Sequence, residues 1–425
     1  MSDFQTSYHR LLSLGNLVTK PYTDSKKELR ASLKRMRAFL DYLGAPDEKL
    51  QIVHVAGTSG KGSVVSMIRH ILHTDGQTVG SYTSPHTTSY LQRFSLGERL
   101  VDPIELAQAI DDVIDRYSKF LQKESTPLSF FELSTAIALY TFAKQGVKWC
   151  ILETGCGGRF DATNVISTPR AAVITNIDKD HTEILGSSLT DIARAKAGII
   201  KKNGTIFCGE MRPAIRKIFM KEAIKHSAAL FFVHPPHTPL LPETFGAHQQ
   251  HNAALAMAVG EELGLSLDAM NEALKSVKLM PCRFETMQTS PRVILDGAHS
   301  PAKIKALVRQ LEHIKQPIHV IFGSTATKDA KQMVEHIAKS AQSVTMTRFT
   351  TSFRKAANPF NLLKLVGKRK RAGAYLSPFE ALASVLEKAK NDEIILVTGS
   401  LYLCGELRTH WISEVDILKN RSSFT

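Results

Sequence analysis

Residues 53–64 read VHVAGTSGKGSV, an apolar strand that runs through a glycine-rich loop into a helix. Glycines let such a loop turn tightly, so that its N–H groups and the N-terminal dipole of the following helix face an anion. Here Lys61 is expected to reach β- and γ-phosphates, and Ser63 to bind or orient Mg²⁺. A Gly-Lys-Gly sequence alone is typical of an ordinary turn, but the strand–loop–helix context favours a nucleotide site. The residues expected to bind the nucleotide are Gly57, Thr58, Ser59, Gly60, Lys61, Gly62 and Ser63.

Runs of Val and Ile alternate with helical periodicity along the chain, which predicts βα units around a mainly parallel sheet. Strands are predicted at 51–56, 78–83, 149–153, 171–177 and 205–209, and helices at 63–73, 103–121 and 133–144. A second series has predicted strands at 292–296, 319–323, 343–347 and 394–400, and helices from Pro301 and near 329–339. The connecting LMPCRFE (279–285) contains a proline, which suits a hinge. We therefore expect two α/β domains, residues 1–280 and 281–425.

The composition, 43% hydrophobic and 22% charged in 425 residues, fits a globular chain and excludes the disordered and collagenous classes. No apolar run approaches the length of a membrane span, and the N-terminal MSDFQTSYHR lacks the apolar core of a signal peptide. Five scattered cysteines form no Cys-x-x-Cys pair, which favours reduced thiols over disulfides or structural zinc. A cytoplasmic protein with no membrane partner is expected.

The net charge of +14 is compatible with polyanionic partners such as nucleotides, multiply carboxylated substrates or nucleic acid. It is equally typical of a surface tuned for solubility. The densest basic run, KRKR at 368–371, is predicted to lie in a turn. One open alternative is therefore a basic phosphate-loop protein that binds nucleic acid and uses ATP as a switch. The sequence contains neither a helicase-like second motif nor an aromatic-and-basic binding face, so we expect no nucleic-acid partner.

Polar residues follow three further predicted strands, where α/β sheets bind ligands. Glu153 begins ETGCGGRFDATN (153–164), Asp180 and His181 lie in TNIDKDHTEILG (175–186), and TSPH occupies 83–86. Each has an ordinary explanation, since strand ends are often polar. Three of them behind a phosphate loop indicate a cradle for Mg²⁺ made of a serine, a carboxylate and an imidazole.

At this point the chain resembles folylpolyglutamate synthase and dihydrofolate synthase, members of the Mur ligase superfamily. The resemblance extends over nearly the whole length and follows the order of many blocks. These blocks are HVAGTSGKGSV, TSPH, ETGCGGRFDATN, TNIDKDHTEILG, KAGIIK, AHQQHNAALA, MPCRFE, ILDGAHSP and TGSLYLCGELR. It implies an N-terminal phosphate-loop ATPase domain with a mainly parallel sheet, a smaller Rossmann-like C-terminal domain, and an active site in the cleft between them.

The resemblance also implies a reaction. Enzymes of this family use ATP to phosphorylate a carboxylate, and the amine of L-glutamate then attacks the acyl phosphate to leave an amide. The carboxylate belongs to dihydropteroate or is the γ-carboxylate of a reduced folate. Such chemistry needs mainly positioning and charge neutralisation. A bifunctional enzyme is expected, with a folylpolyglutamate synthase alone as the alternative.

The resemblance carries roles to matching positions. It implies that Ser63, Ser84 and Glu153 hold one Mg²⁺, that His181 holds a second, and that Lys196 in KAGIIK is carbamylated. Nucleotide contacts are implied for Asn252, Arg283 and Asp296, with catalytic roles for Lys61, Lys196, His181 and His299. His299 is expected to handle the incoming glutamate, and Lys328 and Tyr402 to face the cleft.

Substrate contacts are implied for Asp161, Ala162, Phe131 and Ser300. Asp161 either lines a pterin pocket or caps the turn after the glycines, and Phe131 either stacks on the pterin or packs in the core. The chain departs from the family pattern at Ser59, Ala195 and Ser300, which stand where Asn, Glu and Asn are usual, and these changes leave the glutamate side less defined. A Mur-type peptidoglycan precursor ligase is disfavoured because the phosphate loop begins only about fifty residues in, too early for the extra N-terminal domain of those enzymes. A monomer that binds only small molecules is expected.

Overall fold

The computed structural model describes residues 3–15, 25–123, 126–242, 245–278, 280–312, 314–351, 354–367 and 371–424. The chain divides into two compact units. Unit 1 comprises Met1–Pro85 and Tyr90–Leu279, and unit 2 comprises His86–Ser89 and Met280–Thr425. The boundary expected after residue 280 falls one residue from the observed division, whereas the assignment of His86–Ser89 to unit 2 was not anticipated. Of the KRKR run, only Arg371 lies within the described residues.

Unit 1 is built on an eight-stranded sheet in the order β4-β3-β2-β5-β1-β6-β7-β8. Its strands are β1 Gln51–Ala56, β2 Val79–Tyr82, β3 Phe94–Leu96, β4 Arg99–Leu100, β5 Trp149–Glu153, β6 Ala171–Ile174, β7 Thr205–Cys208 and β8 Ala229–Phe232. All neighbouring pairs from β2 to β8 are parallel, and β3 and β4 add an antiparallel edge. Every residue of β2, β5 and β6 is buried, as expected for parallel strands covered on both faces.

Helices cover both faces of this sheet. They are α1 Phe4–Gly15, α2 Lys26–Tyr42, α3 Lys61–Thr74, α4 Pro103–Leu121, α5 Phe130–Lys144, α6 Thr182–Leu185, α7 Leu189–Lys196, α8 Pro213–Lys225, α9 Ala247–Glu262 and α10 Leu267–Ser276. Successive side chains of β1 point to opposite faces of the sheet, and a separate apolar cluster lies on each face. Val53 and Val55 pack with α3 and α9 on one face, whereas Ala56 packs with α7 and α8 on the other. Helix α5 begins at a capping box in which Ser129 and Glu132 satisfy each other's backbone N–H groups.

The antiparallel edge is tied to helix α3 through the turn between β3 and β4. Arg69 donates to the Gly97 carbonyl and, at 3.0 Å, to Glu98 Oε1, while His70 Nδ1 lies 2.9 Å from the same oxygen. Burial acts to raise the pKa of the Glu98 carboxyl. The hydrogen bond from His70 and the charge of Arg69 outweigh this effect and lower the pKa to about 2.

Glu98→Gln is therefore expected to lower the melting temperature more at neutral pH than in acid. A folded-state pKa below the unfolded value contributes stability that is present above about pH 4.5 and is lost as the pH falls towards 2. The effect is modest, because the Glu98 side chain is 43% exposed. Melting curves of wild type, Glu98→Gln and the exposed control Glu261→Gln between pH 7 and 3 measure it. A wild-type advantage that stays constant across this range contradicts the assignment.

Unit 2 contains a six-stranded sheet in the order β13-β12-β11-β14-β10-β9, parallel except for the edge strand β9. Its strands are β9 Glu285–Thr289, β10 Arg292–Leu295, β11 Ile318–Phe322, β12 Ser343–Met346, β13 Arg371–Ala374 and β14 Ile394–Thr398. Its helices are α11 Pro301–Leu311, α12 Ala330–Ser340, α13 Pro359–Leu363, α14 Pro378–Lys388, α15 Leu401–Arg408 and α16 Glu414–Asn420. Separate apolar clusters fill the two faces of this sheet.

The α/β class and the mainly parallel N-terminal sheet are confirmed. Strand β1 lies between β5 and β6, so the phosphate loop, Glu153 and TNIDKDH all lie at the carboxyl ends of adjacent parallel strands. All five cysteines are free thiols. Among the described residues, no helix is long and apolar enough to cross a membrane.

Candidate active site

The phosphate loop connects β1 to α3 and leaves the first turn of that helix open. Gly60 occupies the N-cap position with φ +83°, contributes no side-chain cap, and is followed by a first turn with no acidic residue. A Cβ atom at Gly57 would lie 1.7 Å from Thr175 Oγ1, and one at Gly60 would lie 2.5 Å from Asn252 Oδ1. Side chains are excluded here by close packing, and the N–H groups in the first turn of α3 and the helix dipole remain available to an anion.

Two residues after β6 hold this loop in place. Thr175 Oγ1 donates to the Ser59 carbonyl at 2.6 Å, and Asn176 Oδ1 accepts from the Ser59 N–H at 2.8 Å. The Thr58 hydroxyl donates to the carbonyl of Asp178 and accepts from its N–H. These contacts fix the loop before any ligand binds. Sequence reasoning missed Thr175 and Asn176, although both lie in the TNIDKDH motif.

Two lysine amines converge on one carbonyl oxygen of the loop. Lys61 Nζ donates to Gly57 O at 3.2 Å, and the buried Lys196 Nζ donates to the same oxygen at 2.7 Å. Lys61 Nζ also lies 3.9 Å from Glu153 Oε1, and Glu153 Oε2 accepts from the Ser84 N–H at 3.0 Å. The structure thus brings together Lys61, Lys196, Glu153 and Ser84, which the sequence motifs had predicted separately.

The oxygen atoms beside Lys61 suit a hard divalent cation. The Glu153 carboxylate is 4% exposed, and the Ser63 hydroxyl, also buried, lies in the first turn of α3. Among the described residues, no three His, Cys, Asp or Glu side chains come together as a metal site of their own. A cation here would therefore need hydroxyl and phosphate oxygens as well as the one carboxylate.

His181 lies on the next loop, at the N-cap of α6, with a left-handed φ of +50°. The imidazole Nδ1 of His181 is 3.9 Å from Glu183 Oε1, and the backbone N–H of His181 donates to Asp180 Oδ1. The base of this loop is held by Glu210, whose carboxylate accepts from the N–H of Ile177 and from the Arg212 guanidinium. Burial raises the pKa of Glu210, but the Arg212 hydrogen bonds outweigh it and keep the net shift downward. Glu210 is a supporting residue that the sequence motifs did not indicate.

The loop after β5 folds around the Asp161 carboxylate. Its Oδ1 accepts from the Thr163 N–H at 3.1 Å and from the Thr163 hydroxyl at 2.6 Å, and its Oδ2 accepts from the Cys156 N–H at 2.8 Å. Asp161 also caps the 3₁₀ turn Ala162–Val165 and is 5% exposed. Of the two roles considered from the sequence, these contacts favour capping.

Phe131 is half-buried at the start of α5 and packs against the same loop. Its ring would lie 2.5 Å from a Cβ atom at Gly155, and it contacts Tyr82 with ring centroids 6.1 Å apart. The glycine at 155 is thus required by the aromatic ring. Ala162, 8% exposed, lies in the turn that Asp161 caps.

In unit 2 a strained turn presents Arg283. The flanking residues Cys282 and Phe284 have φ of +58° and +54°, a region that costs a non-glycine residue energy and is enriched at functional sites. Asp296, directly after β10, holds this turn: its Oδ2 accepts from the Phe284 N–H and its Oδ1 from the Ala298 N–H, both at 2.9 Å. Burial raises the pKa of Asp296, and the nearby charge of Arg283 opposes that shift.

His299 and Ser300 follow on the same loop. His299 Nδ1 donates to the Gly297 carbonyl at 2.7 Å, which leaves Nε2 to accept from Lys303 Nζ at 2.9 Å. Ser300 is the N-cap of α11. Lys303 was not indicated by any motif.

Lys328 and Tyr402 lie further along the sequence of unit 2, outside this loop. The Lys328 N–H donates to the Thr325 carbonyl within the loop after β11. Tyr402 lies in the first turn of α15. Its ring packs on that of Phe349, with ring centroids 5.4 Å apart.

Two family models match this architecture. The Mur ligase middle domain matches residues 55–234, and the Mur ligase glutamate ligase domain matches residues 282–401. The class is therefore that of the Mur ligases, ATP-dependent enzymes that form amide bonds. The chain is also 31% identical over 411 residues to the dihydrofolate synthase/folylpolyglutamate synthase of Bacillus subtilis, a match covering 89% of this chain and 95% of that protein. The chain belongs to the dihydrofolate synthase/folylpolyglutamate synthase family.

Solved structures agree with this assignment. Folylpolyglutamate synthase of Mycobacterium tuberculosis, complexed with ADP and AMPPCP, superposes with a TM-score of 0.84 at 27% identity, covering 95% of this chain and 99% of that one. FolC of E. coli, in complex with DHPP and ADP, gives a TM-score of 0.81 at 25% identity and covers 99% and 98%. The peptidoglycan precursor alternative is not favoured.

Proposed function

We propose that this ligase is bifunctional, joining L-glutamate to dihydropteroate and to the γ-carboxylate of reduced folates. The observation that carries the ATP-dependent half is the open glycine loop with Lys61 and Glu153 at its exit. Family membership supports the acceptors, since the Bacillus subtilis relative is named for both activities. We further propose that the enzyme acts as a monomer in the cytoplasm.

The loop residues would act mainly by charge and position. The N–H groups from Gly60 to Ser63 and the Lys61 amine would bind the phosphates, and Asn252, packed against Gly60, would hold the nucleotide side of α3. An acceptor carboxylate oxygen attacks the γ-phosphorus and ADP leaves with the bonding electron pair. The glutamate amine then attacks the acyl carbon, loses a proton and expels phosphate.

Ser63, Ser84 and Glu153 are the residues that would hold Mg²⁺, and His181 would serve a second ion. When bound, Mg²⁺ supplies charge neutralisation to the phosphate oxygens. The Ser84 N–H and Lys61 amine keep the Glu153 carboxylate oriented towards the loop exit.

The convergence of Lys61 and Lys196 on Gly57 O supports carbamylation of Lys196. Two like charges beside one oxygen repel each other, and a cation so close opposes metal binding. A carbamate replaces one of these positive charges with a carboxylate, which pairs with the Lys61 amine. We propose that Lys196 acts in this modified form.

On the glutamate side we propose that Arg283 and Asp296 contact the nucleotide and that His299 receives glutamate. The strained turn at Cys282 and Phe284 supports a functional role for the arginine between them. The contacts of His299 with the Gly297 carbonyl and with Lys303 fix the orientation of its ring, which supports a role for it in receiving glutamate. Ser300 caps α11, and its contribution to substrate binding is proposed to be indirect.

Asp161→Ala tests whether the loop after β5 is organised by its carboxylate. Removal leaves the N–H groups of Thr163 and Cys156 without their acceptor. We therefore expect turnover with dihydropteroate and with tetrahydrofolate to fall together, at least tenfold, about the cost of one such lost contact. The melting temperature should fall as well, and Asp161→Asn should have intermediate effects. Selective loss of dihydropteroate turnover at an unchanged melting temperature would instead support a direct pterin contact.

Phosphate release from ATP, measured with each substrate omitted in turn, tests the proposed function. Release should require L-glutamate and either dihydropteroate or tetrahydrofolate, with one amide product per phosphate. If dihydropteroate supports no release, the enzyme is a folylpolyglutamate synthase alone. ATP hydrolysis that needs neither substrate and is stimulated by DNA would revive the nucleic-acid-binding alternative.

A further inference from the structure

A histidine lies in the middle of the central strand, where an apolar residue would be expected. His54 of β1 is fully buried, and its Nε2 is 2.8 Å from Thr163 Oγ1. Thr163 Oγ1 is in turn 2.6 Å from Asp161 Oδ1. These three side chains connect the strand that leads into the phosphate loop with the far end of the loop after β5.

The positions of the hydrogen atoms between His54, Thr163 and Asp161 follow from counting donors and acceptors. The Asp161 carboxylate already accepts from two backbone N–H groups, so it is an acceptor, and the single hydroxyl proton of Thr163 points to it. The Thr163 oxygen must then accept from His54. His54 therefore carries its proton on Nε2, and every hydrogen bond in the chain is directed towards Asp161.

The environment keeps the imidazole neutral. Burial lowers the pKa of His54 to about 3, assisted by the charge of Lys201. Nδ1 is buried with no hydrogen-bond partner among the described residues. Burying an imidazole with one unsatisfied nitrogen costs free energy that a valine or leucine at this position would not. That cost indicates that the Nε2–H contact has a use beyond packing.

We propose that His54 is a positioning residue for the acceptor carboxylate, holding residues 161–163 in place through Thr163. The proposal rests on the ligase function above, since it assigns the loop after β5 to the acceptor side. Binding of ATP should not depend on the contact between His54 and Thr163. The phosphate loop is anchored independently by Thr175 and Asn176, and Glu153 lies at the other end of the loop, within β5.

The test uses two pairs of variants, assayed with dihydropteroate, tetrahydrofolate and ATP each varied in turn. His54→Leu removes the donor, whereas the amide nitrogen of His54→Gln can replace Nε2–H. Thr163→Val removes the intermediate hydroxyl, and Thr163→Ser keeps it. We expect His54→Leu and Thr163→Val each to raise the acceptor KM about tenfold, the effect of one lost hydrogen bond. The KM for ATP should change less than about twofold, and both conservative variants should stay near wild type.

The double variant His54→Leu/Thr163→Val should be little worse than either single one, because both interrupt one chain. The proposal is overturned if KM for ATP and for acceptor rise together, or if His54→Gln and Thr163→Ser fail to restore the acceptor KM. The Thr163 pair remains informative if His54→Leu does not fold.

Nitrogen NMR of the full-length protein, labelled in histidine, tests the same assignment without activity. A proton fixed on Nε2 from pH 8 to 5 supports the proposal, and protonation of both nitrogens near pH 6.5 overturns it. Wild-type protein inactive with both acceptors would refute the proposed function, and His54 would then be judged on the NMR result.

Discussion

Lys61→Ala is expected to yield a folded chain whose ligation rate is lower by at least about 100-fold, the usual effect of removing one preorganised donor from a charged transition state. The Lys61 amine lies at the exit of the phosphate loop, where it contacts Gly57 O and lies 3.9 Å from Glu153 Oε1. Its positive charge is therefore available to the transferring phosphoryl group. Stopped-time assays of ADP formation at saturating substrates measure the loss.

The matched control is Lys221→Ala, which removes an exposed lysine from α8 in the same unit. It should retain wild-type turnover and melting temperature. A Lys61→Ala protein that is folded, by its melting curve, and turns over near the wild-type rate would contradict the phosphate-loop assignment.

Lys196→Ala is expected to reduce metal-dependent activity by about 10- to 100-fold, the range typical of groups that orient metal ligands. The side chain is 4% exposed and directed at Gly57 O, so the carbamate has a defined place beside the loop. Acetate or formate should restore part of the activity of Lys196→Ala by supplying the missing carboxylate. Bicarbonate should restore wild-type enzyme that has been depleted of CO₂.

Lys202→Ala, at an exposed position on the same segment, is the control and should show neither rescue nor CO₂ dependence. An active, metal-loaded wild-type enzyme whose Lys196 is a bare amine in an experimental structure would refute carbamylation. Intact mass is the weaker evidence, because a carbamate is lost readily in acid.

The parts of the fold that the sequence predicted are those with strong local patterns. QIVHVA and WCILE are mostly apolar runs, and they form β1 and β5 with the predicted bounds. The edge strands β8 and β13 went unrecognised because ALFF and RAGA are partly exposed and short, so neither periodicity nor turn signals distinguish them. Helix α9 was recognised only as a motif, since its apolar residues surround most of its circumference.

At the site, the sequence motifs identified the charged residues but not the residues whose hydrogen bonds fix the loops that carry them. Lys61 lies in the loop after one predicted strand and Glu153 ends another, so their proximity follows from parallel pairing. The contact of Thr175 with Ser59 joins residues far apart in sequence, and no local pattern encodes it. His54 was passed over because one polar residue inside an apolar strand does not change the strand prediction, and its partner Thr163 is identified only by the folded chain.

Transfer of oxygen from the acceptor to phosphate tests the central claim most directly. Dihydropteroate or tetrahydrofolate labelled with ¹⁸O in the reacting carboxylate is converted with ATP and L-glutamate, and the products are analysed by mass spectrometry. If the amide forms through an acyl phosphate, the inorganic phosphate released carries one labelled oxygen. Unlabelled phosphate, or label found in AMP, would contradict the account.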